Sequence, residues 1–144
     1  MKKFVCMGIL VLMTVFSTVP AYAADGTKTA GTQGVITPQF TYISVLTPGL
    51  SINSLGIATS AGLASAYNSS HTTILTVELQ KANGGWSTIK SWSASSTGTS
   101  LAEIDEDYYV VRGTYRVCAT AKVYTASGTL LESQSLYSDT VVLN

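Results

Sequence analysis

From Gly113 to Thr125 the chain alternates in character with a period of two. Tyr115, Val117, Ala119, Ala121 and Val123 fall on one side, and Arg116, Cys118, Thr120 and Lys122 fall on the other. That period belongs to an extended strand with one face in a core and one toward water. A helix would scatter the same residues around its axis. The texture continues through residues 40–144, where short apolar or alternating runs are separated by Gly, Asn and Ser clusters and no stretch carries helical periodicity with caps. Such a pattern predicts an all-β domain.

Seven strands are expected. Phe40–Leu46 is the first, closed by the turn signal Thr47-Pro48-Gly49, and Leu50–Ala61 is the second, with Gly56 as a bulge. His71–Lys81 alternates cleanly and leads through Asn83-Gly84-Gly85 into Trp86–Ser93, a hairpin pattern. Ser100–Asp105 is a short fifth strand, Gly113–Thr125 the sixth, and Ser127-Gly128 turns the chain into Leu130–Leu143, the seventh. Seven strands at this spacing fit an antiparallel immunoglobulin-like β-sandwich, with a small β-barrel as the alternative. Gly113-Thr114-Tyr115 matches a tyrosine corner, in which the Tyr hydroxyl bonds back to upstream backbone. Two residues later stands Val117, where antibody-type domains carry a Cys of the inter-sheet disulfide.

The N-terminal residues read as an address. Met1-Lys2-Lys3 precedes the uncharged apolar run Phe4–Val19, and Ala21-Tyr22-Ala23 supplies the small-x-small pattern of a signal-peptidase site. The run is shorter than the ~20 residues that span a bilayer, so no stable membrane span is expected after cleavage. Residues 1–23 are therefore read as a cleaved signal peptide, 24–39 as a flexible Gly- and Thr-rich leader, and 40–144 as the sandwich. Cleavage removes Cys6 and leaves Cys118 with no internal partner, as a free thiol or in an intermolecular bridge. It also removes Lys2 and Lys3, so six basic groups face eight acidic ones. Charged residues make up only 11% of the chain, against ~25% in typical domains. With no basic surplus, nucleic acid is not an expected partner.

A set of residues resembles a family of small secreted proteins from Gram-positive bacteria that has no assigned function: Gln39-Phe40-Thr41-Tyr42-Ile43, Leu50-Ser51-Ile52, Gly56 with Ala58, Leu79-Gln80-Lys81, Trp86, Ser91-Trp92-Ser93 and Gly113-Thr114-Tyr115-Arg116-Val117. The likeness runs from about Gln39 to Tyr137 and implies the fold and an extracellular location. It implies no catalytic residue. Some relatives carry Cys near position 60, where this chain has Ser60.

Candidate sites are few. Glu103, Asp105 and Asp107 share a face if the fifth strand continues through them, which offers three carboxylates to calcium; the plainer reading is a solvated loop before the tyrosine corner. Glu103 and Asp107 make a poor glycosidase pair, lacking a second acidic cluster or a cleft to separate their roles. His71 is the single His and has no Cys or His at ligand spacing, and no Gly-x-Ser-x-Gly elbow occurs. No enzyme and no cofactor are expected. Trp86, Trp92, Tyr108 and Tyr109 are the candidate binding residues. Trp86 and Trp92 are six apart, so in an unbroken strand they share a face: outward they form a stacking platform for a glycan or protein, inward they are core. Trp92, flanked by Ser91 and Ser93, is expected to be the more buried. Arg116 and Lys122, with Thr114, Thr120 and Tyr124, mark a polar sheet surface. These features suit a secreted or cell-surface interaction module, with a self-assembling matrix component or an effector acting on competitors or a host as alternatives.

Overall fold

Eight strands occupy most of residues 38–144, the part of the chain that the computed structural model describes: β1 (Ile43–Ile52), β2 (Ile57–Ala66), β3 (Thr72–Ala82), β4 (Trp86–Thr97), β5 (Ala102–Tyr109), β6 (Gly113–Tyr124), β7 (Leu130–Tyr137) and β8 (Val141–Leu143). The expected signal peptide with Cys6, and the leader up to residue 37, lie outside the described residues. All strand pairs are antiparallel. They form a three-stranded sheet in the order β1-β2-β5 and a five-stranded sheet in the order β4-β3-β6-β7, with β8 also paired to β6. The sheets stack as a sandwich and do not close into a barrel. The order is immunoglobulin-like, with the fourth strand beside β3 rather than in the first sheet.

Several boundaries differ from the sequence reading, among them the end of β4, at Thr97 rather than Ser93, and the span of β5, Ala102–Tyr109 rather than Ser100–Asp105. Thr47-Pro48-Gly49 does not turn the chain but lies inside β1, paired with Leu63, Gly62 and Ala61. Proline is tolerated there because β1 is an edge strand, where a missing N–H need not break a ladder. The turn comes later, at Asn53–Gly56: Asn53 Oδ1 accepts from the N–H groups of Leu55 and Ile57, and Gly56 takes a φ of 82°. Gly56 is thus a turn residue and not a bulge. The last expected strand is two strands, because Ser138 leaves the ladder. Its N–H donates to Val117 O at 2.9 Å, and its hydroxyl accepts from Val117 N–H at 2.8 Å.

The core is built from unequal halves. Along β2 the residues facing the other sheet are all small, Ala58, Ser60, Gly62, Ala64 and Ala66, and all are buried. Facing them are Leu75, Val77 and Leu79 of β3 and Tyr115, Val117 and Val123 of β6, each 0–1% exposed. Large residues on one sheet against small ones on the other let the layers close without voids. Gly62 marks the tightest point: a Cβ there would run into Val77 Cγ2, with Leu75 Cδ2 at 3.5 Å.

Two contacts lock the ends of this core. Tyr115 is buried and its hydroxyl donates to Val111 O at 2.6 Å across the β5–β6 corner, the geometry of a tyrosine corner. Gly113 opens β6 at a φ of 155°, beneath the Tyr115 ring. At the opposite end Glu132 of β7 reaches over to the start of β1, where its carboxylate accepts from the N–H groups of Thr41, Tyr42 and Ile43 at 3.2, 2.7 and 3.0 Å. Partial burial works against its charge, but the Tyr42, Ile43 and Thr41 N–H groups outweigh it and hold its pKa below the ordinary glutamate value.

Candidate functional site

Strand β4 decides where the aromatic residues go. Its pairing with β3 slips by one residue between Leu79, opposite Lys90, and Gln80, opposite Thr88, so Ile89 is an extra residue. Such a β-bulge reverses the parity of the strand. Trp92 lies opposite core residue Val77, is half-buried and packs against the core, whereas Trp86 lies opposite Ala82 on the outer face and is 38% exposed. The six-residue spacing therefore does not put both rings on one face. Trp92 is the more buried, as the flanking residues predict.

Trp86 does not stand alone. The Arg116 guanidinium lies 4.2 Å from the Trp86 ring centroid and 4.0 Å from that of Tyr137, so one cation is held between two aromatic rings. Arg116 comes from β6, the central strand of its sheet, and Tyr137 from β7, where it pairs with Cys118. Gln80 of β3 completes the row: its Oε1 accepts from Arg116 Nε at 2.9 Å. Nε is thereby engaged, and the two terminal amino groups have no hydrogen-bond partner among the described residues. Tyr137 is 53% exposed. Sequence alternation places Arg116 on this face but does not reveal Tyr137. The register that brings Tyr137 there depends on an irregularity between Val123 and Tyr124 that no sequence signal announces.

The remaining aromatic candidates lie elsewhere. Tyr108 and Trp92 flank Lys90, whose Nζ is 5.9 and 6.0 Å from their ring centroids, at the margin where β4 and β5 close the sandwich. Tyr109, 69% exposed, borders an open depression of about 280 Å³ at the end of the domain, with Leu55, Gly56, Val111, Arg112 and Leu143. Trp86, Trp92, Tyr108 and Tyr109 are thus three separate places and not one platform.

The acidic run is strand, not loop. Glu103, Asp105 and Asp107 share the outer face of β5, opposite Leu63, Ala61 and Thr59. Among the described residues, no three His, Cys, Asp or Glu are grouped to hold a metal ion. The reason is strand geometry: alternate residues are ~6.6 Å apart, so three carboxylates spread over ~13 Å and cannot all reach an ion at ~2.4 Å. Asp107 instead accepts a hydrogen bond from Thr59 Oγ1 at 2.6 Å. Cys118 is on the outer face, as its alternation predicts, yet only 5% exposed. Among the described residues it is a free thiol, 3.9 Å from Thr120 Oγ1. No helix among the described residues is long and apolar enough to cross a membrane. No protein-family model matches the chain, and no curated protein matches it.

Proposed function

We propose that the chain is an exported, non-catalytic binding module whose contact surface is the outer face of the five-stranded sheet. The observation that carries the reading is the row Trp86, Arg116 and Tyr137, in which two exposed rings hold a cation at the surface. Aromatic rings with an accessible face and a fixed polar neighbour are the groups by which extracellular domains recognise sugars and proteins. The signal-like residues 1–23 and the resemblance to small secreted proteins support an extracellular place of action.

Strand edges weigh against the alternative of a self-assembling matrix component. Pro48 lies within β1, Glu106 of β5 and Lys90 of β4 stand on the side that faces the opposite sheet, and Ser138–Thr140 interrupt the β7–β8 edge. Each is a device that discourages edge-to-edge pairing. The test is a pull-down on glycans and cell-wall material with purified residues 24–144. Trp86→Ala is expected to leave the melting temperature within a few degrees and abolish retention. Trp92→Ala is expected to destabilise by roughly 2 kcal/mol, below the full cost of a buried Trp because this ring is half-buried. Retention unchanged by Trp86→Ala removes the proposed surface.

A further inference from the structure

We infer that the ligand of this surface is an anionic carbohydrate polymer, bound through a carboxylate or phosphate at Arg116; the inference rests on the binding reading above and names its chemistry. The guanidinium carbon lies 4.2 and 4.0 Å from the Trp86 and Tyr137 ring centroids, and Gln80 takes Nε. What is left to a ligand is the edge carrying the two terminal amino groups. That edge is a planar fork of donors, which matches the paired oxygens of a carboxylate or phosphate. Trp86 and Tyr137 prevent the fork from rotating away, so its ordering is complete before a ligand arrives.

Three observations favour a carbohydrate over a peptide. The row Trp86, Gln80, Arg116, Tyr137 crosses four neighbouring strands, β4, β3, β6 and β7. The side chains converge above those strands, with the Trp86 and Tyr137 ring centroids 4.2 and 4.0 Å from the guanidinium carbon, and so form a compact patch of sugar-ring size. Peptides that bind sheets add to an unpaired edge through their backbone, whereas Gln80 and Arg116 belong to the interior strands β3 and β6. Each aromatic ring also carries Arg116 on one side only and is partly exposed, which leaves surface on which a sugar can stack.

Bulk charge is not the attraction. Glu78 stands on the same face, opposite Cys118, and accepts a hydrogen bond from Thr88 Oγ1 at 3.3 Å. Lys122 is six residues along β6 from Arg116, ~20 Å away. One acidic group beside one clamped cation makes recognition a localised contact, which an arginine fork supports and a diffuse patch does not.

The experiment is affinity electrophoresis of residues 24–144 in gels containing polygalacturonate or its neutral match galactan, and phosphomannan or its neutral match mannan, with polyglutamate as a fifth gel. The expected result is retardation by the acidic member of at least one pair and not by its neutral match; which pair responds tells carboxylate from phosphate. Arg116→Gln and Arg116→Lys should each weaken that retardation by about tenfold or more, because lysine keeps the charge but lacks the fork, while Lys122→Gln should change it little. Unshifted melting temperatures establish that the variants are folded. Equal retardation by acidic and neutral polymers, or Arg116→Lys binding like the wild type, overturns the inference and leaves the Trp86 surface standing. Retardation by polyglutamate alone overturns it in favour of an acidic peptide. Retardation in none of the five gels also overturns it, and the Trp86→Ala pull-down then decides the binding reading separately.

Discussion

Tyr115 and Gly62 show how much single side chains carry in a core this small. The Tyr115 hydroxyl is buried and bonded to Val111 O. Tyr115→Phe leaves that carbonyl without its partner, and we expect a loss of about 1 kcal/mol or more in urea unfolding. A Tyr115→Phe protein as stable as the wild type would show that the corner does not hold the β5–β6 connection. Gly62→Ala inserts a methyl where Val77 Cγ2 already sits. Overpacking of that kind costs about 1–3 kcal/mol, read as a lower melting temperature, whereas the same change at Gly84, where nothing lies within 4 Å but φ is 68°, tests backbone strain alone. Tyr115 could be read from its place after Gly113 and Thr114. Gly62 could not, because the need for a missing Cβ arises from the facing sheet and not from its neighbours in sequence.

Along whole strands, alternation was legible wherever pairing is regular and misleading wherever it slips. β3 and β6 follow their period-two pattern through every inward residue from Thr73 to Leu79 and from Tyr115 to Val123. In β4 the extra residue Ile89 reverses parity, so counting from Trp86 to Trp92 gives the wrong relation between two rings whose individual environments were foreseeable. In β1 a strong local turn signal lost to nine paired positions along β2. The Glu132 clasp was invisible for a different reason: its acceptors' partners are backbone N–H groups some ninety residues away, as with Thr41 at a separation of 91. The clasp makes a pH-dependent prediction. Because the folded-state pKa of Glu132 is lowered, its contribution is complete above the ordinary glutamate range and is lost as pH falls through the lowered value. Glu132→Gln should therefore destabilise by about 1 kcal/mol near neutral pH. The gap between variant and wild type in urea midpoints should narrow as the pH falls below the ordinary glutamate range. A gap that is constant with pH would mean that the carboxylate's charge plays no part.

For the molecule as a whole, the fold class followed from periodicity and turn chemistry, while the candidate surface needed four strands in register before Trp86, Gln80, Arg116 and Tyr137 met. No local window of sequence contains that row. Burial of Cys118 also belongs to this scale, since its outward position alone predicts an accessible thiol. With 5% exposure, the folded protein should react slowly with a thiol reagent, rapidly once unfolded in urea, and should run as a monomer on non-reducing gels at rising concentration. A disulfide-linked dimer from folded protein would contradict the burial of this site. One further consequence concerns mechanics. Ile43 enters beside Ala66, at the end where β2 finishes and β6 also ends near Thr72, whereas Leu143 pairs with Gly113, where β6 begins. The first and last strands are thus anchored at opposite poles. A pull applied between them runs parallel to the strands, so the ladder bonds and the three bonds to Glu132 bear the load together in shear instead of parting one after another. Under tension the domain should behave as a stiff link that yields abruptly, rather than as an extensible spacer.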